Sequence, residues 1–379
     1  MARYYIIAGE SSGDMHAANL MKEIRRHDPH ADFRCWGGDR MLHEGGHIVK
    51  HIRELSFMGF FEVVSNLRTI LSNINLCKHD LLAYQADVLI LVDYPGFNLR
   101  MARFAKTHRI PVVYYIGPQV WAWKESRVRK LRRDVDKLLV ILPFEQEFYQ
   151  RFGMQVEFPG HPLLDEVLPL RGSKDHASFR EDNGLQDKPL VALLPGSRKQ
   201  EIRRMLEEMI TMAPRFIDYQ FVVAAVSSQD KDLYLHFAQQ PNVSVVYDQT
   251  YSLLANAGAA LVASGTATLE AALFGVPQAV CYKANLLSYF IARQLIRVKY
   301  ISLVNLIMDK PVLQEMIQHD FNQENLFKVL DSLLHDTSCR KAMREDYRLM
   351  EQKLGGPGAS EKAARIITDF VHKAGNIKP

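Results

Sequence analysis

The chain has 379 residues, of which 47% are apolar and 24% charged, with a net charge of +4 at neutral pH. That length exceeds one comfortable hydrophobic core and fits two domains, while the composition excludes a mostly disordered protein. No stretch approaches eighteen uninterrupted apolar residues, and so modest a charge gives no ground for a nucleic-acid partner.

The opening, MARYYIIAGESSGD, carries a short apolar run without the long hydrophobic region or cleavage site of a signal peptide, and reads as a first strand. Apolar runs of strand length follow at 88–92, 112–115 and 138–142, with a long helical periodicity over 60–76. The second half repeats the pattern, with runs at 190–194, 221–225, 243–247, 260–263 and 278–282, and helical patterns at 199–216 and 266–274 between them. This alternation predicts α/β architecture with parallel sheets. The stretch 169–188 is poor in apolar residues and contains Gly172 and Gly184, so a linker is expected there. The boundary is placed near residue 168, giving domains 1–168 and 169–358. Gly355-Gly356-Pro357-Gly358 then breaks the chain before a last helix from about 359. Cys35, Cys77, Cys281 and Cys339 are far apart and form no C-x-x-C pair, which predicts a reducing, cytoplasmic setting and no cysteine-built zinc site.

Open parallel sheets bind ligands beyond the carboxyl ends of their strands, so the loops that follow strands carry the candidate chemistry. Gly196, Ser197 and Arg198 follow the run 190–194 and open a helix. Amides at a helix start, a glycine that permits close approach and a forked guanidinium suit a diphosphate, and equally an ordinary turn. Ser264, Gly265 and Thr266 follow 260–263 in the same way, and Glu270 lies one turn further, where a carboxylate can accept ribose hydroxyls. Two such loops on one sheet favour a nucleotide. Asp93 ends the apolar run 88–92, a place for a general base whose basicity rises with burial, or for a turn-forming aspartate. Glu10, Ser11 and Ser12 follow the first strand and open a helix, where they can meet a substrate; the alternative is plain capping by Ser12 or Asp14.

Three local matches are set aside. Gly9-Glu10-Ser11-Ser12-Gly13 fits the nucleophile elbow, but only eight residues precede it, leaving no earlier strand for an oxyanion loop. His43-Glu44-Gly45-Gly46-His47 fits the zinc-protease pattern, but two glycines oppose the helix that must present both histidines. Asp134-Val135-Asp136 precedes a strand and so lies at the wrong edge for a metal-bound nucleotide. Neither a dinucleotide nor a P-loop fingerprint occurs. No metal and no cofactor are expected.

Read in order, Ala8-Gly9-Glu10-Ser11-Ser12-Gly13-Asp14, Met58-Gly59-Phe60-Phe61-Glu62-Val63, Pro118-Gln119-Val120-Trp121-Ala122-Trp123, Leu142-Pro143-Phe144-Glu145, Gly160-His161-Pro162, Leu194-Pro195-Gly196-Ser197-Arg198, Ala263-Ser264-Gly265-Thr266-Ala267-Thr268-Leu269-Glu270 and Ser302-Leu303-Val304-Asn305-Leu306 form a collinear set over residues 8–306. The set resembles the lipid-A-disaccharide synthases. The resemblance implies a GT-B fold, two Rossmann-like domains facing across a cleft, with no metal. It also implies an inverting transfer from UDP-2,3-diacylglucosamine to 2,3-diacylglucosamine 1-phosphate, giving the disaccharide 1-phosphate and UDP. Carried over by position, Asp93 is the general base. Gly196, Ser197, Arg198, Ser264, Gly265, Thr266, Glu270 and Asn305 are the donor contacts, and Glu10, Ser11 and Ser12 the acceptor side. The last helix of such folds often packs back on the N-terminal domain.

Acylated substrates imply a peripheral position on the inner face of the cytoplasmic membrane. Phe60, Val63, Val64, Leu67, Leu71 and Ile74 form one helical stripe that suits a core face, while Met58, Phe61 and Leu76 lie off it. Met58 and Phe61 are the expected membrane or acyl contacts. The basic run Lys124, Arg127, Arg129, Lys130, Arg132 and Arg133 reads either as a solvated helix face or as a phosphate or headgroup surface.

Overall fold

The computed structural model describes residues 2–55, 67–123, 125–172, 178–285 and 298–375. Two compact units are present: Met1–Asp165 with Leu354–Pro379, and Glu166–Lys353.

The first unit carries strands β1 (Arg3–Ala8), β2 (Asp32–Gly37), β3 (His47–His51), β4 (Val88–Val92), β5 (Val112–Tyr115) and β6 (Lys137–Leu139) in the order β3-β2-β1-β4-β5-β6. Every neighbouring pair is parallel. The period of two sends Tyr5, Ile7, Leu89 and Leu91 to one face and Tyr4, Ile6, Val88 and Ile90 to the other, and both faces are buried. A strand covered on both sides must be apolar throughout, which is why β4 reads VLILV.

The terminal helix Ala359–Gly375 belongs to this unit and covers the second face beside the helix Ser11–His27. Ala363 and Ala364 are fully buried in that packing, with Ile367 and Val371. Asp165 fixes the helix start by accepting the amides of Gly358, Ala359 and Ser360 at 2.6, 3.3 and 2.8 Å.

The second unit repeats the plan with β7 (Leu190–Leu194), β8 (Gln220–Ala225), β9 (Val243–Tyr247), β10 (Ala257–Ala263), β11 (Gln278–Tyr282) and β12 (Glu315–Ile317), ordered β12-β11-β10-β7-β8-β9 and parallel throughout. In both sheets the strand order reverses beside the first strand, between β1 and β4 and between β7 and β10. Loops leaving the carboxyl ends of such a pair diverge to opposite faces and leave a crevice between them.

Several elements differ from the sequence reading. Strands β2, β3 and β12 escaped it, because DFRCWG, HIVKH and EMI mix polar and apolar residues at or near sheet edges. The run 138–142 pairs within the sheet only as far as Leu139; beyond it the Val140 amide donates to the Glu157 carbonyl. The stretch 169–188 is more than a linker, since Phe179 opens the short helix Phe179–Asp182 and is 2% exposed in the second core.

Candidate functional site

In the first unit, β1 and β4 pair with Ala8 opposite Val92, so Gly9-Glu10 and Asp93 leave the sheet side by side. Asp93 and Tyr94 both take left-handed backbone, with φ of 47° and 48°. Such a pair of non-glycine residues costs on the order of 1–3 kcal/mol each and persists only where neighbours enforce it. Here the Asp93 carbonyl accepts the Asn98 amide and the Tyr114 hydroxyl, each at 2.7 Å, and Asn98 also donates to the Val92 carbonyl. Gly9 completes the arrangement: any side chain there would overlap the Tyr94 ring.

Held this way, the Asp93 carboxyl is pushed up to about 6, first by burial and then by the nearby Glu10 charge, against an opposing hydrogen bond from the Tyr94 amide. It is therefore a carboxylate of near-neutral basicity. Glu10 is half-buried, and Ser11 and Ser12 are exposed. Glu10, at the cap position, makes no side-chain capping bond to the helix. Asp14 instead accepts the amides of Gly38, Arg40 and Met41, at 2.7, 3.1 and 3.2 Å, and so anchors the start of the next helix, Asp39–His43.

The rejected patterns have structural roles. His43 ends that helix while His47 begins β3, so the two do not share a helical face. Asp134 is buried against Arg103 and Arg133, and Asp136 binds Lys106 and the Val112 amide. Among the described residues no group of three or more His, Cys, Asp and Glu side chains gathers as for a metal.

In the second unit, β7 and β10 pair with Leu194 opposite Val262, bringing together the two loops that follow them. Gly196 has φ +97°, and Ser197 and Arg198 are exposed. The amides of Ser197 and Arg198 donate to the Glu201 carboxylate, whose pKa is raised by burial against the pull of Arg198 and those two bonds. The sequence reading missed Glu201, although a glutamate three residues after a helix cap is the signature of such a bond.

After β10, Ser264 is tied to the Ile301 carbonyl at 3.0 Å, while Gly265 and Thr266 are exposed, and among the described residues no atom beyond the chain neighbours lies within 4 Å of where a Gly265 Cβ would stand. Glu270 is held by a hydrogen bond to Tyr251 and pushed up to about 7, chiefly by burial. Tyr251 is a second residue that the sequence reading missed, and no local pattern marks it.

Asn305 sits differently from the exposed loop residues. It is 1% exposed; its amide donates to the Leu313 carbonyl and Glu315, at 2.9 and 3.0 Å, and accepts the Leu313 amide at 2.8 Å. Glu315 also takes the Ile301 and Ser302 amides. Asn305 thus shares Glu315 with the Ile301 and Ser302 amides, and the Ile301 carbonyl in turn accepts Ser264.

Met58 and Phe61 lie outside the described residues, as do Phe60, Val63, Val64 and Lys124. On the helix Leu67–Tyr84, Ile74, Cys77 and Leu81 are buried, but Leu71 is 49% and Leu76 46% exposed, so Leu71 does not belong to the core face as expected.

A family model described as lipid-A-disaccharide synthetase matches residues 4–369. The chain belongs to the lipid-A-disaccharide synthase family. It is 40% identical to the lipid-A-disaccharide synthase of Syntrophus aciditrophicus over 377 residues, covering 97% of this chain and 98% of that one. The synthase of Geobacter sulfurreducens is 37% identical over 98% of each chain, and that of Nitrosococcus oceani 40% identical over 95% and 94%. Among solved structures, UDP-GlcNAc 2-epimerase from Neisseria meningitidis bound to UDP-GlcNAc superposes with a TM-score of 0.71 at 13% identity, covering 98% of this chain and 100% of that one. The Methanocaldococcus jannaschii UDP-GlcNAc 2-epimerase in complex with UDP-GlcNAc and UDP gives 0.67 at 13%, covering 97% and 99%. At that identity the likeness concerns the fold alone, which is GT-B. Membership of the synthase family makes the chain a glycosyltransferase of lipid A biosynthesis.

Proposed function

We propose that the protein transfers the 2,3-diacylglucosamine unit of UDP-2,3-diacylglucosamine to the 6-hydroxyl of 2,3-diacylglucosamine 1-phosphate. The observation that carries the residue roles is Asp93, an aspartate of near-neutral basicity fixed in strained backbone at the β1/β4 reversal. Asp93 takes the hydroxyl proton as the acceptor oxygen bonds to the anomeric carbon. The bond from that carbon to the UDP oxygen breaks on the opposite face, UDP departs with the electron pair, and configuration inverts. Arg198 and the exposed amides around Gly265 would meet the charge gathering on the diphosphate, and Glu270 would accept the ribose hydroxyls. Glu10, Ser11 and Ser12 are assigned to the acceptor side, where Glu10 also keeps Asp93 basic.

We further place the protein on the inner face of the cytoplasmic membrane, because both sugars carry acyl chains. Among the described residues no helix is long and apolar enough to cross a membrane. Exposed Leu71 and Leu76 supply apolar surface, the sequence adds Met58 and Phe61 as membrane or acyl contacts, and exposed Arg129 and Lys130 supply positive charge for headgroups or for the acceptor phosphate. The test is a transfer assay with purified protein and acceptors of graded acyl length. Disaccharide 1-phosphate formed only from acylated acceptor is expected. Epimerisation of UDP-N-acetylglucosamine, or transfer to unacylated acceptor at equal rate, would contradict the assignment.

A further inference from the structure

The two loops assigned to the nucleotide diphosphate differ in one respect. Among the described residues no atom crowds a Gly265 Cβ, whereas the loop after β7 already holds a carboxyl group. Glu201, in the first turn of the helix Lys199–Met209, bends back so that its carboxylate accepts the Ser197 and Arg198 amides. It lies directly over Gly196: a Cβ at that position would overlap Glu201 Oε2 and Cδ. The uncovered face of a left-handed glycine is the side from which a phosphate can approach the amides closely. The carboxylate is on that face.

We propose that Glu201 is a resident competitor of the diphosphate: the nucleotide binds by displacing its carboxylate from the Ser197 and Arg198 amides, and its return speeds nucleotide release. The proposal rests on the donor-site reading above. Two anions cannot share two amides and the Arg198 guanidinium without strong mutual repulsion. Burial already raises the Glu201 carboxyl against the pull of Arg198 and both bonds, so the charged form is held at a cost in solvation. Such an arrangement keeps the amides aligned by an acceptor from their own helix and weakens the hold on the leaving nucleotide.

Glu201→Gln separates competition from simple capping, because the amide oxygen can still accept the two backbone bonds but carries no charge. UDP affinity by calorimetry and UDP release by stopped flow would be compared in the wild type, Glu201→Gln, Glu201→Ala and Arg198→Ala, with thermal midpoints to confirm folding. Glu201→Gln is expected to bind UDP about fivefold more tightly, the scale of a partly screened like-charge contact, with the gain in slower release. Unchanged affinity and release in Glu201→Gln, with weaker binding in Glu201→Ala, would reduce Glu201 to a cap and overturn the proposal. The Arg198→Ala arm tests the reading beneath it. If Arg198→Ala loses UDP while Glu201→Gln gains nothing, only the competition fails; if Arg198→Ala binds UDP as the wild type does, the donor site itself is misplaced and both fall.

Discussion

Asp93 and Glu270 are both carboxyls raised by burial at the carboxyl edge of a parallel sheet, but their partners give them different work. Asp93 faces a second carboxylate, Glu10, and has its backbone rather than its side chain tied down by Asn98 and Tyr114. Glu270 is held through its side chain by Tyr251, the posture of a hydrogen-bond acceptor. On the proposed donor-site reading, ribose hydroxyls donating to Glu270 would stabilise its charged form, so its pKa would fall on binding and a proton would leave. UDP affinity is therefore expected to rise with pH through about 7 and level off above it, and Glu270→Gln should remove that part of the dependence. Calorimetric titrations from pH 6 to 8 on both proteins check this; parallel pH profiles would contradict it. At this scale the sequence showed what strand ends reveal. Asp93, Arg198 and Glu270 stand at fixed offsets from apolar runs, and each parallel sheet carries its own to its carboxyl edge, Asp93 in the first and Arg198 with Glu270 in the second. It did not show Tyr251, which reaches Glu270 from another element, or the hydrogen bonds that tie Asn305 to Leu313 and Glu315. Those facts depend on tertiary neighbours that no local pattern encodes.

The helix Leu67–Tyr84 shows how an element can serve two surfaces. Asp80 accepts Arg34 through two nitrogens and the Tyr5 hydroxyl, fixing the helix to β1 and β2, while Ile74, Cys77 and Leu81 fill the core. Burying a side chain such as Ile74 contributes on the order of 1.5–3 kcal/mol, whereas Leu71 and Leu76 gain little of this in water. Their apolar area becomes useful only against another apolar phase. Replacing both with Ser should reduce co-sedimentation with anionic phospholipid vesicles and leave the thermal midpoint within about 2 °C, since neither supports the core. Unchanged partitioning would remove this helix from the membrane face. Periodicity located the helix but misjudged Leu71, because a heptad-like count does not reveal which side of a helix meets the sheet. The fully buried strands were legible for the opposite reason: being covered on both faces leaves them no polar positions, whereas β2, β3 and β12, with polar residues near the sheet edges, gave no such signal.

Across the whole molecule, two sheets of the same strand order each place their candidate residues at the strand-order reversal, Glu10 and Asp93 in one and the two phosphate-type loops in the other. The fold class followed from the alternation of strands and helices, and the collinear motifs identified the family. The return of the chain at Leu354 to complete the first unit was foreseeable only by analogy, since an amphipathic terminal helix does not say which sheet it covers. The central claim is that Asp93 supplies the base for glycosyl transfer, and turnover of Asp93→Asn with both acylated substrates, measured beside its UDP affinity, tests it most directly. A fall in kcat of about 10²–10⁴, with UDP affinity within about twofold of wild type, is the result predicted. In the wild type, kcat/KM should decline on the acid side around pH 6, where the Asp93 carboxyl takes up its proton. Turnover in Asp93→Asn within a few-fold of the wild type would contradict the account.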